Sequence, residues 1–158
     1  MAGLLRGRRV LVAACGSIAA VKTPLLVSAL VQAGAQVRCV LTASAARLVS
    51  PVALATLSRQ ACLQDADQWD PSRPRPLHIE LAEWADLVVV APLSATSLAR
   101  WVQGDGEGLL ASLLLACECP VLAAAAMNTA MWKHAAVRRN WDLLHEDPRV
   151  LPLEPEGC

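Results

Sequence analysis

"RRVLVAACGSIAA", residues 8–20, decides how the rest of the chain is read. Residues 8–15 are a continuous apolar run of strand length, without the alternation that would mark one wet face. A strand buried on both faces belongs in a parallel sheet covered by helices. The run stops at Gly16-Ser17-Ile18, and "VKTPLLVSALVQAG" (21–34) then has helical apolar spacing and closes on Gly34. The order is strand, tight loop, helix.

Further along, "AQVRCVLT" (35–42) reads as a second strand, and 43–60 as helical material broken near Pro51. Residues 65–76, "DADQWDPSRPRP", are polar and proline-rich, a surface loop leading to "LHIELAEWA". A third buried strand is "ADLVVVAPLSA" (85–95). Residues 96–118 are helical with a glycine-rich interruption at 104–108, and "CPVLAAAA" (119–126) is a fourth strand. A helix around 133–145 and a short apolar piece, "RVLPL", follow. Apolar runs alternating with helices predict a three-layer α/β/α fold, a Rossmann- or flavodoxin-like parallel sheet, right-handed in its crossovers. One domain over 1–158 is expected.

The formal net charge is zero, so no field draws nucleic acid or an anionic membrane to the surface, and binding has to come from a site. No apolar stretch approaches the ~20 residues that span a bilayer, and "MAGLLRGRR" runs straight into a strand; a cytoplasmic protein is expected. The six cysteines have no framework spacing, and Cys117-Glu-Cys119 is a lone C-x-C without a second pair or a histidine at ligand spacing. Neither structural disulfides nor a metal site are expected.

Ligands of an open parallel sheet bind beyond the carboxyl ends of its strands. The residues there are Gly16-Ser17-Ile18, Thr42-Ala43-Ser44, Pro92 to Ser97, and Met127-Asn128-Thr129, all carrying small hydroxyl or amide groups. Hydroxyls at helix starts either cap the helix or share a phosphate with the backbone amides. Neither G-x-G-x-x-G, nor Walker A, nor a G-x-S-x-G elbow follows any strand, so a mononucleotide such as FMN fits best.

Taken together, "GSIAA", His78 in "HIELAEWADLVVVAP", "PLSATS" and "AAMNTAMW" resemble the homo-oligomeric flavin-containing cysteine decarboxylases. The pattern is most similar to members acting on 4'-phosphopantothenoylcysteine in coenzyme A biosynthesis. The resemblance implies FMN contacts at Gly16, Ser17, Ile18, Thr42, Ser44, Ser94, Ala95, Thr96, Ser97 and Ala126. Asn128 would hydrogen-bond the substrate carboxylate. His78 would be the base, reaching the flavin across a subunit interface of a homotrimer or trimer-based assembly. Met131 and Trp132 would pack to position Asn128, and His134 and His145 have no assigned role. The implied reaction oxidises the substrate thiol to a thioaldehyde, releases CO2 and returns the electrons to give 4'-phosphopantetheine.

This chain departs from the family pattern in carrying Thr96-Ser97 for Asn-Thr and Glu107-Gly108 for Asp-Asn. A reactive-cysteine segment follows the last strand in family members that complete the reduction, whereas here Cys158 is the last residue. The expectation is that a tail lies beyond it. Two alternatives stay open: oxidative decarboxylation of a peptide C-terminal cysteine, and a non-catalytic FMN-binding regulatory subunit.

Overall fold

β1 (Arg9–Ala14) lies at the centre of a six-stranded, all-parallel sheet in the computed structural model, which describes residues 3–156. The strands β2 (Gln36–Leu41), β3 (Cys62–Leu63), β4 (Leu87–Leu93), β5 (Val121–Ala125) and β6 (Val150–Leu153) take the order β3-β2-β1-β4-β5-β6. This is the doubly wound order with its switch point between β1 and β4; without the two-residue β3 it is the five-stranded flavodoxin order. Cys158 lies outside the described residues.

Side chains of β1 alternate between two cores. Leu11 and Ala13 face one with Leu77, Leu98, Leu113 and Trp141, while Val10, Val12 and Ala14 face the other with Val27 and Leu54. The second core is covered by α1 (Thr23–Gln32) and α2 (Pro51–Ser58). The first is covered by α3 (Leu77–Trp84), α4 (Ala95–Gln103), α5 (Leu109–Ala116), α6 (Thr129–Lys133) and α7 (Ala135–Leu144). Short 3-10 turns at Ile18–Lys22, Ala45–Arg47 and Asp65–Trp69 precede α1, α2 and α3.

Several expected boundaries move, each for a local reason. Pro51 starts α2 at a position where its missing N–H costs nothing, with the Ser50 hydroxyl accepting from the Ala53 N–H. Residues 96–118 separate into α4 and α5 because Gly104 and Gly108 take φ of 73° and 98°. The helix expected around 133–145 is α7, started where the His134 Nδ1 accepts from the Ala136 N–H at 3.1 Å, and a short α6 that the sequence reading did not anticipate precedes it. "RVLPL" joins the sheet as β6, and the Arg149 guanidinium before it donates to the carbonyls of Leu114 and Cys117 at the end of α5.

Coverage is uneven. On the α1–α2 face, β5 and β6 have no helix over them among the described residues, and Leu151 and Leu153 are 56% and 50% exposed beside partly buried Leu122 and Ala124. Ile18 and Val21 of the first 3-10 turn and Leu25 of α1 are exposed as well. No helix among the described residues is long and apolar enough to cross a membrane.

Candidate functional site

The loops after β1, β2 and β4 meet at the switch point. An ideal Cβ on Gly16 would lie 2.4 Å from the Ser44 Cβ, so only glycine lets the first two loops approach this closely. The third loop is tied in by Cys15 N–H donating to the Pro92 carbonyl (3.0 Å) and by the buried Thr23 hydroxyl donating to the Ala91 carbonyl (3.0 Å). The Ala91–Pro92 peptide is cis.

Hydroxyls on this rim cap the turns that follow them. Thr42 Oγ1 accepts from the Ala45 N–H (3.2 Å), Ser94 Oγ from the Ser97 N–H (3.2 Å), and Ser17 Oγ from the Ala19 N–H (3.3 Å). Capping uses an oxygen lone pair and leaves each O–H as a donor, so a cap and an anion contact are compatible in one side chain. The first turn of α4 adds backbone N–H groups and the positive end of a helix dipole.

Between these loops and α5 lies a cleft of about 390 Å³, within the ~300–1,000 Å³ of small-molecule sites. Gly16, Thr42, Ala43, Ser44 and Ser94–Ser97 form its hydroxyl-rich side. Leu110, Ala111 and Leu114 of α5 give an apolar wall, and Asp65, Arg100 and Glu107 bring charge to the opening. Donors for a phosphate beside an apolar wall for a planar ring are the features a flavin mononucleotide needs, so these residues fit that group.

The flavoprotein family model matches residues 2–157. The chain belongs to the flavoprotein family. Among curated relatives, the coenzyme A biosynthesis bifunctional protein CoaBC of Bacillus subtilis is 41% identical over 155 residues, covering 98% of this chain and 38% of the relative. Its Escherichia coli K12 counterpart is 36% identical over 141 residues, 89% of this chain and 34% of the relative. The flavoprotein described here thus spans well under half the length of these relatives. Among solved structures, the FMN-dependent cysteine decarboxylase SpaF superposes with a TM-score of 0.89 at 34% identity, covering 96% of this chain and 86% of that one. A PPC decarboxylase mutant complexed with pantothenoylaminoethenethiol gives 0.85 at 33% identity, covering 94% and 82%.

Of the residues singled out in this flavoprotein's sequence, Gly16, Thr42, Ser44, Ser94, Ala95, Thr96 and Ser97 line the cleft. Ser17, Ile18, Ala126, Asn128 and His78 do not. Ser17 caps its own turn, Ile18 is 73% exposed, and the Ala126 N–H donates to the Leu93 carbonyl at 3.2 Å. His78 is half-buried on the first turn of α3, next to core residue Leu77.

Asn128 caps α6, its Oδ1 accepting from the Ala130 N–H at 2.8 Å. That bond fixes the oxygen and leaves the amide NH2 with two donors to present. Met131, one turn further, lines the cleft instead of serving only as packing, whereas Trp132 is buried edge-on against Trp141 (centroids 5.1 Å) under the Arg138 guanidinium.

Reading the sequence missed Asp65, Arg100, Leu110, Ala111 and Leu114. The α5 wall carries a detectable signal, an eight-residue helix apolar on nearly every side, but Asp65 reaches the cleft through the fold alone. Cys15, buried behind the rim, has its thiol pKa raised by burial, against the opposing hydrogen bonds of Ser97 and Ser94, and stays a neutral packing group. Among the described residues no group of three or more His, Cys, Asp or Glu is gathered to hold a metal ion.

Proposed function

We propose that this chain binds FMN and decarboxylates 4'-phosphopantothenoylcysteine to 4'-phosphopantetheine, as a cytoplasmic, homotrimeric or trimer-based enzyme of coenzyme A biosynthesis built on one domain, 1–158. The observation that carries the reading is the coincidence of the cleft with the loops that the family resemblance picks out: Gly16, Thr42, Ser44 and Ser94–Ser97. Its similarity to CoaBC over 98% of the chain supports the choice of substrate.

Bound FMN would supply a two-electron oxidation of the thiol-bearing carbon and its later reversal. The O–H groups of Thr42, Ser94 and Ser97 and the first turn of α4 would hold its phosphate. The Asn128 amide would donate to the substrate carboxylate while its oxygen keeps α6 capped, a division of labour that an aspartate could not perform. His78 would accept the thiol proton.

Within one chain His78 is outside the cleft lining, so in this reading it serves the cleft of a neighbouring copy. The exposed apolar side chains of Leu151, Leu153, Ile18 and Leu25 support association, since a monomer would leave them in water.

The test is to purify the protein, identify any released flavin by mass, and follow CO2 release from 4'-phosphopantothenoylcysteine and from a peptide ending in cysteine. CO2 and the saturated thiol from the first substrate support the proposal. An enethiol, lighter by two hydrogens, from the peptide alone would assign the chain to oxidative peptide decarboxylation. Flavin bound with neither substrate turned over would leave a binding subunit.

A further inference from the structure

Helix α5 supplies the apolar wall of the cleft but begins without a cap of its own. Its N-cap residue is Gly108, at φ 98° and ψ 162°, a conformation open only to glycine and without a side chain to accept from the first turn. The missing acceptor comes from 44 residues earlier. Asp65 Oδ1 accepts from the Leu109 N–H at 2.8 Å and lies 3.3 Å from where a Gly108 Cβ would stand, so the glycine also leaves room for the carboxylate.

Asp65 is itself held. It opens the 3-10 turn Asp65–Trp69, which carries a reciprocal capping box between Gln64 and Asp67, with Asp67 Oδ2 accepting from the Gln64 N–H at 2.7 Å. The turn follows directly from β3, which pairs with β2 through Cys39–Cys62 and Val40–Leu63. A continuous path thus runs from the sheet edge through Asp65 to the start of α5, and Asp65 also lines the cleft.

We infer that Asp65 is a positioning residue for the cofactor cleft: by capping α5 from a distance it sets where Leu110, Ala111 and Leu114 stand opposite the rim of Gly16, Ser44 and Ser94. The inference rests on the flavin reading for its ligand but not for its geometry. Loss of the acceptor frees the first turn of α5 and blurs the wall, while the hydroxyl rim is unaffected.

The experiment compares Asp65→Ala with Asp65→Asn, which keeps a side-chain oxygen for the Leu109 N–H. Two quantities are read: hydrogen exchange of the Leu109 and Leu110 amides, and FMN affinity by quenching of flavin fluorescence. Asp65→Ala is expected to speed exchange and weaken FMN binding by about tenfold each, the size of a lost helix cap, with Asp65→Asn within about threefold of wild type in both. Unchanged exchange in Asp65→Ala overturns the inference. So does an equal loss of affinity in both variants with exchange intact, because that marks a direct charge contact. Accelerated exchange in Asp65→Ala when the wild type takes up no FMN supports the clamp and removes the flavin reading instead.

Discussion

Gly16 and Ser44 stand so close that no side chain fits between them: a Cβ on Gly16 would be 2.4 Å from that of Ser44. The contact joins the loops after two neighbouring strands, so the glycine serves the fit of the two loops before it serves any ligand. Gly16→Ala has to push the Ser44 loop outward. A cost of about 1–3 kcal/mol in chemical denaturation is expected from overpacking, together with weakened FMN uptake. Wild-type stability and affinity in this variant would remove the contact from the description of the site.

Asn128 separates two roles that one residue type could have confused. Asn128→Asp keeps an oxygen for the Ala130 N–H and adds favourable charge at the α6 N-terminus, so thermal stability should be unchanged or slightly higher. The same change replaces the amide donors with a negative charge. A fall in kcat/KM on the order of 10- to 100-fold is expected from losing a hydrogen bond to a charged group. Wild-type turnover with intact stability would reduce Asn128 to a cap.

The positions of His78 and the cleft predict complementation between impaired variants. His78→Asn should stop CO2 release while leaving flavin bound, and Asn128→Asp should act as above. If His78 of one copy serves the cleft of another while Asn128 serves that of its own, mixed assemblies of the two variants contain some intact sites and recover part of the activity. A mixture no more active than its components, with subunit exchange verified by mass, would refute the shared site.

Cys39 is fully buried on β2 opposite Cys62, and burial, with a smaller repulsion from Cys62, pushes its thiol up to about 12. Cys62 is pushed up to about 11, again mainly by burial. A raised acid is protonated in both states below the ordinary 9.0, so stability is fully present there. Above it the unfolded thiol ionises first, and stability is lost as pH rises from about 9 towards 12. Equilibrium denaturation across that range should show the decline, and Cys39→Ala should make it shallower, the other buried thiols such as Cys62 and Cys117 keeping part of it, despite a lower starting stability.

Much of the fold is legible because long apolar runs leave little choice. β1, β2, β4 and β5 are all parallel and buried, and the hydroxyl-rich loops beyond three of them make the rim of the cleft. β3 is not legible, since two residues carry no periodicity and Cys62–Leu63 becomes a strand only by lying beside β2. Asp65 is hidden for a related reason: its acceptor role at Leu109 depends on a turn and a helix meeting in space. His78 and Asn128 stand out by resemblance, and neither reaches the cleft lining within one chain.

The central position of β1 bears on how this chain is made. Its neighbours are β2, which follows soon after, and β4, which does not end until Leu93. Synthesis of the stretch from Ala14 to Leu93 takes roughly 4–16 s at about 5–20 residues per second. For that interval the nascent chain carries a largely apolar strand with one edge unclaimed, a vulnerable stage that holding chaperones are suited to cover.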